Sequence, residues 1–185
     1  MLSKTLLGRP AERQATIARE VTLTGIGLHT GQPVTMVFAP AEPGTGVRFV
    51  RTDLPGQPEL PVQPRSLTGG VRGTNLTLRD VTIHTIEHVM AGCYAAGVDN
   101  VRVLLDAAEP PAADGSAGQF VSALRDAGRV EQEPVRRVNR VVKPMAFSIG
   151  TWNRRLPRHI VPSQLNVLMA DGTAMSSVET MNVDP

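Results

Sequence analysis

Up to residue 83 the apolar positions fall in short runs rich in β-branched residues and separated by turn formers, a texture that predicts strands. Thr16–Leu23 (TIAREVTL) is the first run and Val34–Phe38 (VTMVF) the second. The Gly-rich stretch Gly25–Gly31 between them makes antiparallel pairing across a turn the expected arrangement. Val47–Val50 continues the strand content. Leu54–Pro64 contains four prolines, each without an N–H to give to a ladder, and is expected as a loop or an edge segment. Asn75–Leu78 and Val81–Ile83 resume the β pattern.

The period changes over His84–Ala96, where Ile86, Val89, Met90 and Cys93 recur at i, i+3, i+4 and i+7 and draw one apolar stripe of an amphipathic helix. Gly97 is placed to end it, since a helix commonly terminates on a residue in the left-handed region. Asn100–Leu105 (NVRVLL) predicts another strand. After a Pro-Pro loop, Ser116 is positioned to cap a second helix on which Phe120, Val121 and Leu124 share a face, closed by Gly128. Arg137–Val142 predicts a last short strand. Strands, helix, strand, helix, strand imply an α+β fold, a two-layer α/β sandwich whose mixed or antiparallel sheet carries two helices on one face. That body spans residues 14–144. Residues 145–185 form a tail of different texture, irregular except for an expected hairpin in which LNVLM and AMSSV flank a turn at Asp171-Gly172.

Composition narrows the functional classes. The chain has 185 residues, enough for one domain with a core, and its net charge of +2 arises from 19 basic and 17 acidic residues. The arginines are scattered, and the contiguous pairs Arg136-Arg137 and Arg154-Arg155 read as solvated surface. No basic field points to a nucleic acid or a membrane surface. A single cysteine, Cys93, excludes an internal disulfide and a multi-thiolate metal site. No run is long enough to span a bilayer and the opening MLSKTLLGRPAERQ lacks a signal-peptide core, so the chain is expected to be cytoplasmic.

The candidate chemistry centres on HTIEHVMAG. A carboxylate beside an imidazole, Glu87 next to His88, suits metal-assisted hydrolysis, in which zinc takes neutral imidazole and an unligated Glu takes a proton from the attacking water. The same pair is also an ordinary surface pair of a helix. His84 through His88 fits H-x-x-E-H as well, the zincin motif in reverse, in which His84 would be an alternative metal ligand one helical turn from His88. That arrangement needs a third ligand, for which the second helix offers only Asp114 near its start and Asp126 near its end. In TGIGLHTG the glycines at 25, 27 and 31 miss the dinucleotide spacing and a strand follows where a helix is required. The stretch therefore reads as a tight turn, with His29 either a plain turn residue or lining a site. Asp114-Gly115-Ser116 turns the chain and caps the second helix.

Taken in order, GIGLHTG, VTIHTIEHVMAG, GVDNVRV and DGSAGQFVSAL resemble the successive signatures of the N-terminal half of the zinc-dependent UDP-3-O-acyl-N-acetylglucosamine deacetylase family of lipid A synthesis, over Gln14–Pro144. The resemblance implies that His88 is a zinc ligand, that Glu87 is the general base, and that His29 lies near the site in a supporting role. The substrate it implies is an acylated UDP-sugar that loses acetate. The family's second domain supplies the remaining ligands. The tail is not similar to that domain and contains one histidine, His159. The expectation is therefore a truncated form with little or no activity of its own. Further readings are a non-catalytic nucleotide-sugar-binding relic and a reverse-zincin metallopeptidase.

Overall fold

The computed structural model describes residues 12–70 and 73–136, together with the short strands Thr5–Leu6, Arg9–Pro10, Leu165–Leu168 and Ala174–Ser177. The chain divides into two units, Ala11–Arg136 and a second made of Met1–Pro10 with Arg137–Pro185. In the second unit, Thr5–Leu6 pairs antiparallel with Arg9–Pro10, and Leu165–Leu168 with Ala174–Ser177. The latter two are the strands expected from LNVLM and AMSSV; their turn at Asp171-Gly172 lies outside the described residues. So does the strand expected over Arg137–Val142.

Among the described residues the first unit holds ten strands and two α-helices: β1 (Arg13–Ile17), β2 (Val21–Ile26), β3 (Pro33–Pro40), β4 (Val47–Arg51), β5 (Glu59–Pro61), β6 (Leu67–Gly70), β7 (Gly73–Leu78), β8 (Val81–Ile83), α1 (Glu87–Ala96), β9 (Val101–Leu105), α2 (Gly118–Asp126) and β10 (Arg129–Val135). Five strands make the principal sheet in the order β2-β3-β9-β4-β5. β9 runs antiparallel to β3, with Val103 opposite Phe38, and parallel to β4, with Val103 opposite Phe49. The sheet is therefore mixed. The proline-rich stretch supplies β5 at its edge, where missing N–H groups do least harm.

Alternation decides which face is covered. Val34, Met36 and Phe38 on β3 and Val101, Val103 and Leu105 on β9 are buried in one core with Ile86, Val89 and Cys93 of the α1 segment and Phe120 and Leu124 of α2. Phe38 and Phe120 meet edge to face, with ring centroids 6.4 Å apart and planes at 82°. Each large side chain so buried contributes roughly 1.5–3 kcal/mol. The other face carries charge: Glu59 of β5 accepts from Arg48 of β4 at 3.2 Å and from Arg102 of β9 at 3.0 Å. The helices touch through Gly92, where a Cβ would lie 2.6 Å from the Phe120 Cβ. Hydrogen-bonded beside this sandwich are a three-stranded sheet, β8-β7-β6, and the pair β10-β1.

Several expectations are corrected in detail. Thr16–Leu23 is not one strand: the chain bends at Ala18-Arg19, pinned by the Ala18 N–H donating to the Gly128 carbonyl at 2.7 Å, so β1 and β2 enter different sheets. The first helix begins at Glu87 rather than His84, because Thr85 has φ +55°, in the left-handed region, and an α-helix cannot run through it. Its end matches expectation, with Gly97 at φ +67°. Ser116 stands two residues before α2 and accepts the Gly118 N–H at 3.0 Å. Arg136 is held by Glu12 at 2.6 Å and Asp99 at 3.1 Å instead of standing free in solvent. Among the described residues no helix is long and apolar enough to cross a membrane.

Candidate active site

The site is assembled where the end of β2 and the turn that follows it, the segment between β8 and α1, and the loop after β9 come together. The centre is a residue that sequence reasoning missed. Glu109 has a side chain with 0% exposure, and its carboxylate collects four hydrogen bonds: from the His29 N–H at 2.9 Å, the Thr30 N–H at 2.9 Å, the Thr85 hydroxyl at 2.7 Å and the His29 ring Nδ1 at 2.9 Å. Burial by itself raises the pKa of this carboxyl. The hydrogen bonds from Thr30, Thr85 and His29 outweigh that and hold it down at about 2, so the group is an anion at neutral pH. A buried charge is tolerable when donors surround it in this way.

Two glycines make the approach possible. A Cβ on Gly27 would meet the Thr30 side chain and would lie 2.7 Å from Glu109 Oε2; one on Gly25 would lie 2.8 Å from the Pro111 Cβ. The GIGLHTG turn can therefore wrap the carboxylate and the Pro110-Pro111 segment, to which Gly27 is bridged. Thr85 is the other distorted element. A β-branched residue at positive φ costs on the order of 1–3 kcal/mol, and the Thr85–Glu109 hydrogen bond helps to hold it there.

That kink aims the two motif residues. Glu87, half-buried, opens α1, where a carboxylate is favoured by the helix dipole, and its Oε2 accepts the Thr74 N–H at 3.0 Å. The Ile86 N–H in turn donates to the Thr74 carbonyl at 3.2 Å, so the helix start and β7 are clasped together. His88 lines a cleft with Leu28, Thr85, Pro110, Pro111 and Phe120, and among the described residues its ring makes no hydrogen bond. The cleft holds about 60 Å³, well short of the roughly 300–1,000 Å³ of pockets that enclose a small-molecule ligand, and is a partial wall rather than an enclosing pocket.

His29 is tied to the cleft wall through Thr85, 3.1 Å from its Nδ1, and its side chain is 44% exposed. His84 does not share the helix with His88. It precedes the kink, lies off the helix, and its Nδ1 pairs with Asn75 Oδ1 at 3.2 Å; the one-turn spacing that a shared metal requires is absent. Asp114 serves the helix start, accepting the Ser116 N–H at 2.9 Å and hydroxyl at 2.8 Å. Among the described residues no three His, Cys, Asp or Glu side chains are grouped as a metal would require.

Comparison with known proteins adds to this geometry. Residues 14–178 match the family model described as LpxC, UDP-3-O-acyl N-acetylglycosamine deacetylase, a stretch that extends beyond the motifs of Gln14–Pro144. The chain is 46% identical over 120 residues to the bifunctional enzyme LpxC/FabZ of Chlorobaculum tepidum, covering 65% of this chain and 26% of that protein. It is 40% identical over 137 residues to the UDP-3-O-acyl-N-acetylglucosamine deacetylase of Bdellovibrio bacteriovorus, covering 74% of this chain and 45% of that one. With the deacetylase of Stenotrophomonas maltophilia it shares 41% identity over 138 residues, 75% of this chain and 46% of the relative. The chain thus spans less than half the length of these relatives. On the family match over 14–178, the chain belongs to the UDP-3-O-acyl N-acetylglycosamine deacetylase family.

Proposed function

We propose that this chain carries the base-bearing part of a zinc-dependent deacetylase site, cytoplasmic and acting on UDP-3-O-acyl-N-acetylglucosamine in lipid A synthesis. Glu87 is the general base, His88 one of the zinc ligands, and His29 a supporting residue at the margin. The observation that carries the reading is the kink at Thr85, which starts the helix so that His88 faces the cleft while Glu87 is fixed by Thr74 with its second oxygen unengaged among the described residues. A carboxylate held by one oxygen and free at the other is suited to accept a proton.

The described residues do not by themselves fit a catalytic zinc ion, which takes three protein ligands where these offer one imidazole in the cleft. Further donors have to come from outside them. This part of the site binds, orients and shields, and alone it completes no hydrolysis. Leu28, Pro110, Pro111 and Phe120 give the cleft beside His88 an apolar lining.

Zinc titration of the 185-residue chain and its variants tests the assignment. His88→Ala is expected to abolish what zinc binding the chain has, Glu87→Ala to leave it, and His84→Ala to leave it. Loss of zinc in His84→Ala would favour the reverse-zincin reading instead. A second reading, a nucleotide-sugar-binding relic without turnover, draws on the lack of a three-ligand group among the described residues. It expects binding of UDP-N-acetylglucosamine that is indifferent to both His88→Ala and Glu87→Ala.

A further inference from the structure

The cradle around Glu109 does more than close a turn. A carboxylate that is ionised can only accept, so a nitrogen at 2.9 Å from Glu109 Oε1 must carry the proton, and that nitrogen is Nδ1 of His29. The Thr85 hydroxyl cannot reverse the assignment. Its proton already goes to the same Oε1 at 2.7 Å, so towards His29 Nδ1, at 3.1 Å, the hydroxyl oxygen is an acceptor as well. Both neighbours of Nδ1 therefore demand a donor. The backbone reinforces the position, because the N–H groups of His29 and Thr30 bind the other oxygen, Oε2, and fix the residue from both ends.

We propose that Glu109 is a positioning residue that fixes the neutral ring of His29 as the Nδ1–H tautomer, leaving Nε2 as an unprotonated acceptor at the margin of the cleft that holds His88. The tautomer of a histidine is set by the hydrogen bond its other nitrogen makes, and here that partner is buried, charged and saturated. With 44% of its side chain exposed, His29 offers Nε2 to an O–H or N–H donor, the chemistry of a sugar hydroxyl or an amide N–H. The use of that acceptor rests on the reading of Glu87 and His88 as site residues; the tautomer itself does not.

Long-range ¹⁵N–¹H NMR of the ¹⁵N-labelled 185-residue chain, kept zinc-free with chelator at a pH above the ordinary histidine range, reads the tautomer of each of the four histidines. His29→Gln identifies the His29 signals. The expected result is a pyrrole-like Nδ1 and a pyridine-like Nε2 for His29, with its Hδ1 proton shifted downfield and slow to exchange. In Glu109→Gln the Nδ1–H form is expected to lose its dominance and Nε2 to shift towards pyrrole-like values. An Nε2–H tautomer in the unmodified chain, absence of a protected Hδ1, or an unchanged tautomer in Glu109→Gln would each overturn the proposal. Should Glu109→Gln fail to fold, the protected Hδ1 of the unmodified chain still decides. Because no zinc is present, a wrong assignment of His88 leaves this result untouched, and a wrong tautomer leaves the zinc titrations untouched.

Discussion

The cradle of Glu109 and the pair Glu87-His88 are neighbours joined by Thr85, yet they are built on opposite terms. Around Glu109 every polar group is matched: one carboxylate, 0% exposed, satisfies two backbone N–H groups, a hydroxyl and a ring nitrogen. At the pair, Glu87 takes a single hydrogen bond from Thr74, and His88 takes none among the described residues. The groups with spare bonding capacity are the ones suited to reacting or ligating. The saturated group is the one that holds the backbone, including a left-handed Thr85, in the conformation that presents them. Support of this kind is what a preorganised site requires.

The contrast can be broken most sharply at Glu109. Glu109→Ala leaves four donors facing a hole, and the expected loss of stability is about 3–5 kcal/mol, read from urea unfolding midpoints. A loss under about 1 kcal/mol would mean that the cradle is not what holds the turn. Acid should act on the same group. Its pKa falls on folding from 4.5 to about 2, so the stabilisation is complete above about 4.5 and disappears as pH drops through about 2. The expected contribution is on the order of 3 kcal/mol. It should be missing from the pH–stability profile of Glu109→Gln.

Gly27→Ala probes the close approach without touching charge. Its methyl would press on Glu109 Oε2 at 2.7 Å, and about 1–3 kcal/mol of destabilisation is expected in the same unfolding assay. The smallest effects belong to Glu87 and His88. Glu87→Gln and His88→Ala should each change stability by less than about 1 kcal/mol, since both side chains are half-buried and carry at most one bond. A larger loss at His88 would make it a structural residue.

The helical stripe was legible in the sequence because burial enforces period: Ile86, Val89 and Cys93 are in the core, and Met90 packs against it. The helix start was not, since nothing about Thr85 marks it for positive φ; its partner Glu109 lies 24 residues on. Glu109 itself reads as one acid before two prolines, and its partners at 29 and 30 are 80 and 79 residues away. β10, with the sequence RVEQEPV, has exposed residues at almost every position and so shows no alternation to detect. Its pairing with β1 follows from register with Arg13–Ile17, which is a tertiary fact. Glu87, His88 and His29 could be nominated from residue type and order, whereas the placement of His84 before the helix needed the kink.

Zinc content and acetate release measured together on the purified 185-residue chain bear on the whole proposal. Zinc far below one per chain, with no acetate released from UDP-3-O-acyl-N-acetylglucosamine, is the expected result where the described residues offer one imidazole in the cleft. One tightly held zinc per chain, with acetate release that is lost in Glu87→Ala, would contradict it and show that the chain completes the site by itself.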